Sequence, residues 1–404
     1  MAKSSGEFSF ADLNKEMSKN SKWGGLMSDD NVGVSEITDY IPVGNYICNA
    51  CLTGSLFQGI PNNRITALSG VSGVGKTYLL LNIAREAILK GYYVIWYDSE
   101  NAIEKKMLDQ FNINRDYFRY EPATSVEEFR TSITQVIDLL IEKKESGMSV
   151  PKVFFVLDSL GGLPTEKEIE DAKSGSDKAD MTKAKKLRSI FRIISMKMGI
   201  IGATMALSNH VYENTNAYVP TSVQSGGQGL VYGASVILNL SKAKLKEDGD
   251  NKQTGIIVTA KPDKNRFVIP HTVQFYISYV NGMNKYVGLQ DYISWERCGI
   301  DRGKFITESE ALKSGQDYPK VVTKDGEIKY FVQSDTGRNV CCDDGTSLPW
   351  KSLWSAKVFN KERLERLDKY IQSEFKYADG TNPEDIFKAD DEPTEDDLIA
   401  GQLD

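Results

Sequence analysis

Residues 70–77 read GVSGVGKT, a complete G-x-x-x-x-G-K-[ST] match, and no other stretch limits the fold of this chain so tightly. The preceding run, 64–69 (RITALS), is short and apolar, as a buried strand is. The following run, 78–89 (YLLLNIAREAIL), places apolar residues at helical spacing, and Gly91 marks its stop. A glycine-rich turn between strand and helix aims consecutive backbone N–H groups at one anion, at the positive end of the helix. Gly70, Gly73 and Gly75 permit that turn, and Ser72 and Val74 complete the loop. Lys76 adds a cation for β- and γ-phosphates, Thr77 offers a hydroxyl to Mg²⁺, and Tyr78 opens the helix beside them. The expected ligand is ATP with Mg²⁺. A chance match in an ordinary turn would lack the flanking strand and helix.

Two more strand ends extend the site. Residues 153–158 (VFFVLD) form an apolar run ending in a carboxylate; Asp158 is expected to support the Mg²⁺ shell, through water or through Thr77. Residues 93–100 (YVIWYDSE) form another, and Glu100 is a candidate base for polarising an attacking water, or else a surface acid at a strand end. A third run, 202–210 (GATMALSNH), ends in Asn209 and His210. In a doubly wound sheet these ends share one edge, where such folds bind ligands. His210 is then a γ-phosphate sensor or a satisfied structural histidine.

The alternation of apolar runs and helical patterns over 46–282 signals a parallel α/β core. Strands are expected at 65–68, 92–97, 153–157, 202–207, 235–240, 255–260 and 273–279. Residues 1–45 are polar and mixed and read as an arm. After Asn281-Gly282 the texture changes. Residues 283–383 read as a small C-terminal domain, with a hairpin around Asp325-Gly326 and an amphipathic helix over 357–375. The chain has 40 % hydrophobic and 26 % charged residues, no apolar leader in MAKSSGEFSF, and no stretch near the ~18 apolar residues of a membrane helix. The expected place is cytoplasmic, with no membrane partner. Five cysteines and two histidines, with a lone C-x-x-C at Cys48 and Cys51, argue against a disulfide scaffold or structural zinc.

The net charge of −7 discourages a nucleic-acid reading until its distribution is considered. Residues 384–404 carry nine acids against Lys388, a net of −8, which leaves about +1 for the rest. That tail is either a solvating end or an electrostatic competitor for a basic surface. Two long polar segments leave the nucleotide edge of the sheet. One, 161–188, is lysine-rich from 172 onward and includes Met181, Lys183, Lys186 and Arg188. The other, 211–229, is glycine-rich and includes Gly226, Gly227 and Gln228. Together they suit the phosphates of a single DNA strand; separately they suit a solvated helix start and a lid.

With both segments in view, the chain resembles the RecA recombinases, most closely the UvsX-type recombinases of tailed bacteriophages. The resemblance covers roughly 40–300 and rests on GVSGVGKT, YDSE, VFFVLDSLGGL, SDKADMTKAKKLRSIFRII, ALSNHVYE and SVQSGGQGLVYGAS. It implies an α/β fold: a RecA-like P-loop ATPase core with a mostly parallel twisted sheet, an N-terminal arm and a small C-terminal α+β domain. It implies a DNA-dependent ATPase that forms helical filaments on single-stranded DNA and exchanges strands with duplex DNA. Such a protein acts in recombination, repair and recombination-dependent replication. Implied partners are further copies of the chain, a mediator and a single-stranded-DNA-binding protein; a phage-encoded chain would work in host bacterial cytoplasm. Carried over, Glu100 activates water, and Lys264 and Arg266 (in KNR, 264–266) reach a neighbour's γ-phosphate in trans. Met181, Lys186, Gly226, Gly227 and Gln228 match the DNA loops, and Ser9–Met17 matches a docking arm. Met107 stands where the family often stacks a tyrosine on adenine. The alternatives are a ring helicase or motor on the same core, and a non-catalytic paralogue. One P-loop without a further large domain counts against the first, and intact Lys76, Thr77, Glu100 and Asp158 count against the second.

Overall fold

A computed structural model describes residues 8–21, 23–26, 28, 36–175, 182–214, 221–224, 229–246 and 252–377. Ahead of the core, β1 (Tyr40–Ile41) and β2 (Ile60–Pro61) pair antiparallel. The central sheet then collects β3 (Ile65–Gly70), β4 (Tyr93–Asp98), β5 (Phe118–Pro122), β6 (Val153–Asp158), β7 (Thr204–Asn214) and β8 (Thr221–Gln224). It continues with β9 (Val236–Lys246), β10 (Gln253–Asn265), β11 (Val273–Ser278) and β12 (Gly282–Met283). Its order is β12-β11-β10-β9-β3-β7-β6-β4-β5, with β8 on the end of β7. From β9 to β5 every neighbour is parallel; β10, β11 and β12 extend the sheet antiparallel.

The alternation of side chains across β6 shows why this run is a central strand. Val153, Phe155 and Leu157 face one buried layer, and Phe154 and Val156 the other. The first layer is closed by helices Val126–Glu145 and Lys183–Ile201. The second is closed by the P-loop helix Lys76–Leu89, the helix Tyr46–Thr53 and the C-terminal helix Lys361–Phe375. Leu364, Leu367, Ile371 and Phe375 form the buried stripe of that last helix, as their spacing predicts. It begins at Lys361 rather than 357, where Asn360 caps it by accepting the Arg363 N–H.

All seven expected strands are present. In the central sheet β5, β8 and β12 are additional, and β7, β9 and β10 run further than their apolar cores. β7 continues past His210 because Val211–Asn214 pair antiparallel with Thr221–Gln224. Within the other polar segment, Glu166–Ser174 is a helix whose Thr165 and Glu168 form a reciprocal capping box.

Beyond the core, β13 (Ile300–Ile306), β14 (Lys320–Val322), β15 (Ile328–Gln333), β16 (Asn339–Cys342) and β17 (Ser347–Pro349) form an antiparallel sheet ordered β14-β15-β13-β16-β17. The β14–β15 hairpin turns at Asp325-Gly326, with Gly326 at φ 80°. Arg363, 1 % exposed, reaches Asp343 and Asp344 at 2.8 Å each and ties the final helix to this sheet. All five cysteines are buried free thiols; burial pushes the Cys48 thiol up to about 12, which leaves it unreactive. No helix among the described residues is long and apolar enough to cross a membrane.

Candidate functional site

The parallel strands β3, β4 and β6 end near the level of His210 of β7, and the residues there make one cleft. The pocket of about 180 Å³ there is lined by Ser72, Gly73, Gly75, Lys76, Thr77, Tyr78, Glu100, Asp158 and His210. Gly73 and Gly75 stand at φ 70° and 94°, which side-chain-bearing residues adopt only with strain. Lys76 is held by Gly70 O at 2.9 Å and Val71 O at 3.0 Å. Burial pulls its ammonium down, against the opposing pull of Asp158 and Glu100. Val74 instead points into the core, fully buried.

Asp158 and Thr77 are joined directly: Thr77 Oγ1 donates to Asp158 Oδ2 at 2.7 Å, and Ser208 donates to Oδ1. Burial pushes the Asp158 carboxyl up. A hydroxyl and a carboxylate in contact beside a glycine cradle match the oxygen donors Mg²⁺ takes, and the cradle's N–H groups and Lys76 match a triphosphate. Bound there, the ion and phosphates would supply an electrophilic phosphorus and a charge-neutralised leaving group.

Glu100 is 39 % exposed in the same cleft, so water reaches it. Its Oε1 accepts from Ser159 Oγ and lies 2.8 Å from His210 Nε2. Burial favours its protonated form, but Ser159, His210 and Lys76 together hold the carboxyl below its ordinary range, hence ionised. Asp98 sets the turn that delivers it. The buried carboxylate accepts backbone N–H groups of Glu100, Ala102 and Ile103 at 3.0, 2.8 and 3.1 Å. Ser99 and Ser159 exchange hydrogen bonds across to β6 at 2.7 and 2.8 Å. Next to the pocket an apolar groove of about 360 Å³ runs over Gly73, Gly75, Tyr78, Ile256, Ile277, Ser278 and Tyr279, a shape suited to a base. Met107 packs half-buried against the core instead and does not line it.

Lys264 and Arg266 lie elsewhere. Lys264 pairs with Ile237 and Gly70 with Leu240, which separates them by roughly 10 Å along the strands and two strands across. The Lys264 ammonium donates to Val231 O at 2.5 Å, and burial and then Arg266 pull it down. Arg266 lines a cavity of about 760 Å³ at this opposite edge, with Arg64, Arg188, Arg192 and Tyr232 among its walls. Burial and then Arg266 lower Arg64 as well, the mark of cations crowded together. The Arg188 guanidinium sits 4.9 Å from the Tyr232 ring centre. The other basic candidates meet acids: Lys183 is 3.7 Å from Glu168 and Lys186 2.6 Å from Glu127. Met181, Gly226, Gly227, Gln228 and the tail 384–404 lie outside the described residues.

Several members of these sites escaped sequence reading. Ser159 and Ser208 each adjoin a recognised residue, so their polar position at a strand end was the available signal. Arg192 follows Arg188 by four on one helix, the spacing of a shared face. Arg64 and Tyr279 carried no signal apart from flanking strands.

Residues 10–284 match the family described as the RecA N-terminal domain. The chain is 28 % identical over 259 residues to the "Recombination and repair protein" of Enterobacteria phage T4, covering 62 % of this chain and 61 % of that protein. It is 26 % identical over 274 residues to the "DNA repair protein recA homolog 3, mitochondrial" of Arabidopsis thaliana, covering 67 % and 61 %. It is 22 % identical over 307 residues to "Protein RecA" of Bifidobacterium breve, covering 74 % of each. The chain spans about three fifths of the length of the first two of these relatives. A family match over well more than half the chain, on a P-loop α/β sheet, identifies it: this protein belongs to the RecA family.

Proposed function

We propose that this protein is a DNA-dependent ATPase that assembles with ATP and Mg²⁺ on single-stranded DNA and carries out strand exchange with duplex DNA. The names of its relatives, recombination and repair protein and RecA, agree with that reading. The observation that carries it is the separation of two half-sites. The phosphate cradle, the metal-type donors and Glu100 occupy one edge of the sheet, and Lys264 and Arg266 the other. A strand-separated pair cannot act on one triphosphate within one copy, but stacking copies edge to edge brings them together. In the proposed reaction Glu100 draws a proton from the attacking water. Lys76 steadies the transferring phosphoryl group, Thr77 and Asp158 hold the metal, and His210 reads the γ-phosphate. Lys264 and Arg266 of the next copy close the site as cationic fingers.

Two further features support assembly. Helix Phe10–Asn20, capped by Ser9 and Asp12, exposes Phe8, Phe10, Leu13 and Met17 on the arm. At the free β5 edge an apolar groove of about 570 Å³, walled by Tyr93, Tyr117, Phe118 and Leu140, is open to such a helix from another copy. The cationic cavity with Arg188 and Arg192 supports binding of a polynucleotide backbone. A mediator and a single-stranded-DNA-binding protein are proposed as loading partners. The test is ATP turnover with and without single-stranded DNA, with the same samples viewed by electron microscopy. Stimulated turnover with helical filaments is expected; closed rings, or turnover indifferent to DNA, would contradict the proposal.

A further inference from the structure

Tyr78 touches the nucleotide cleft on one side and the C-terminal half of the chain on the other. Its ring lines both the phosphate pocket and the adjoining apolar groove. Phe111 braces the ring edge-on, centre to centre 5.0 Å. Its hydroxyl oxygen accepts the Met283 N–H at 2.9 Å. Gly282 keeps that approach open: at φ 68°, a Cβ there would come within 2.6 Å of the Tyr78 hydroxyl. One residue on, Asn284 Nδ2 donates to Trp354 O at 3.2 Å, beside the C-terminal sheet, while Asn284 O accepts from Asn45 at 3.1 Å. A continuous line of three hydrogen-bonding residues therefore runs from the cleft wall to the C-terminal domain.

We propose that Tyr78 is a positioning residue that reports a nucleoside triphosphate in the cleft to the C-terminal sheet, through the Met283 amide and Asn284. The inference rests on the nucleotide reading of the cleft. A ligand against the ring fixes its orientation, and a fixed ring holds the Met283 amide more firmly. The segment 282–284 and its Trp354 contact then stiffen together. The differential interaction that any such coupling needs is the contact between ligand and ring, present only in the bound state.

Hydrogen–deuterium exchange of the full chain, with Mg²⁺ and a saturating non-hydrolysable ATP analogue, tests this. In the wild type, nucleotide is expected to slow exchange about five-fold at Met283 and in the peptide containing Trp354, the factor one net hydrogen bond supplies. Tyr78→Phe keeps the ring and is expected to abolish the slowing at both places. Asn284→Ala, remote from the cleft, is expected to keep nucleotide affinity and the slowing at Met283 but lose it at Trp354. A hydroxyl with a merely structural role would raise exchange equally with and without nucleotide, leaving the wild-type ratio intact in Tyr78→Phe. That result overturns the inference, as does a wild type that binds the analogue with no change at either peptide. Failure to bind the analogue at all, read separately by titration of a fluorescent ATP analogue, would overturn the nucleotide reading and this inference with it.

Discussion

The two edges of the central sheet are opposites in charge, with acids gathered at one and cations at the other. At the strand C-termini, Asp98, Glu100 and Asp158 are each tied by named donors within the same copy. At the other edge Arg266 lowers the proton affinity of Arg64 and Lys264, after burial, and Arg64 and Arg266 line a cavity that Arg188 and Arg192 also enter. An edge with settled acids is a prepared site; an edge of crowded cations is one that gains from an anion brought to it. On the proposed function, one chain would carry both halves of the reaction on edges too far apart to meet within a single copy.

Removing the prepared half should cost most. Lys76→Ala is expected to lower ATP turnover by at least ~10³-fold, since the cation facing the phosphates is lost. Normal turnover in a colorimetric phosphate assay would break the comparison at its first edge. Glu100→Gln should lower turnover by ~10²–10⁴-fold while leaving nucleotide affinity within about three-fold, the signature of a base rather than a binding group. Because Glu100 is held below its ordinary range, its acid limb should lie below that of an unperturbed glutamate, with activity lost as pH falls through that lowered value. A profile centred above the ordinary value of about 4.3 would contradict the assignment.

How much of this was legible beforehand depends on where the information resides. GVSGVGKT, VFFVLD and YDSE are local words, and each forecast its element and place. β5 (FRYEP) was silent because an edge strand need not be apolar: its burial alternates weakly, and Trp96 stacks on Phe118 only once the sheet exists. The pairing of β7 with β8 was silent because it joins residues whose register no local pattern in the sequence sets. The arginine cavity is a tertiary event. Arg64 starts a strand, Arg192 rides a helix and Arg266 ends a hairpin, and no spacing in the sequence brings them together. Met107, placed by resemblance at the adenine, does not line the apolar groove, which lies on the Tyr78–Tyr279 side of the cleft.

Smaller effects sharpen the picture away from the cleft. Deleting 384–404 removes a net of −8 and should tighten duplex DNA binding several-fold at low salt, with a steeper salt slope. Equal affinity and slope with and without the tail would leave it as a solvating end. The root of the arm offers the mildest test. Asp39 accepts from Lys90, from Lys152 at 2.9 Å and from the Tyr92 hydroxyl at 2.9 Å, which holds its carboxyl well below the usual range against the cost of burial. Asp39→Asn should cost about 1 kcal/mol in urea unfolding at pH 7. A depressed carboxyl stabilises above its unfolded value of about 3.9, and that contribution is lost as pH falls through the lowered native one. The gap between wild type and variant should therefore close in acid, and a gap that widens would refute the pairing.

The claim that two copies share each catalytic site is tested most directly by mixing. Lys76→Ala lacks the cradle's cation and Lys264→Ala lacks the finger, so each alone should be nearly inactive with single-stranded DNA present. Equal amounts combined before adding ATP should recover about a quarter of wild-type turnover, because random neighbours rebuild one intact interface in four. Turnover no greater than the sum of the two separate variants would show that no site is completed by a neighbour.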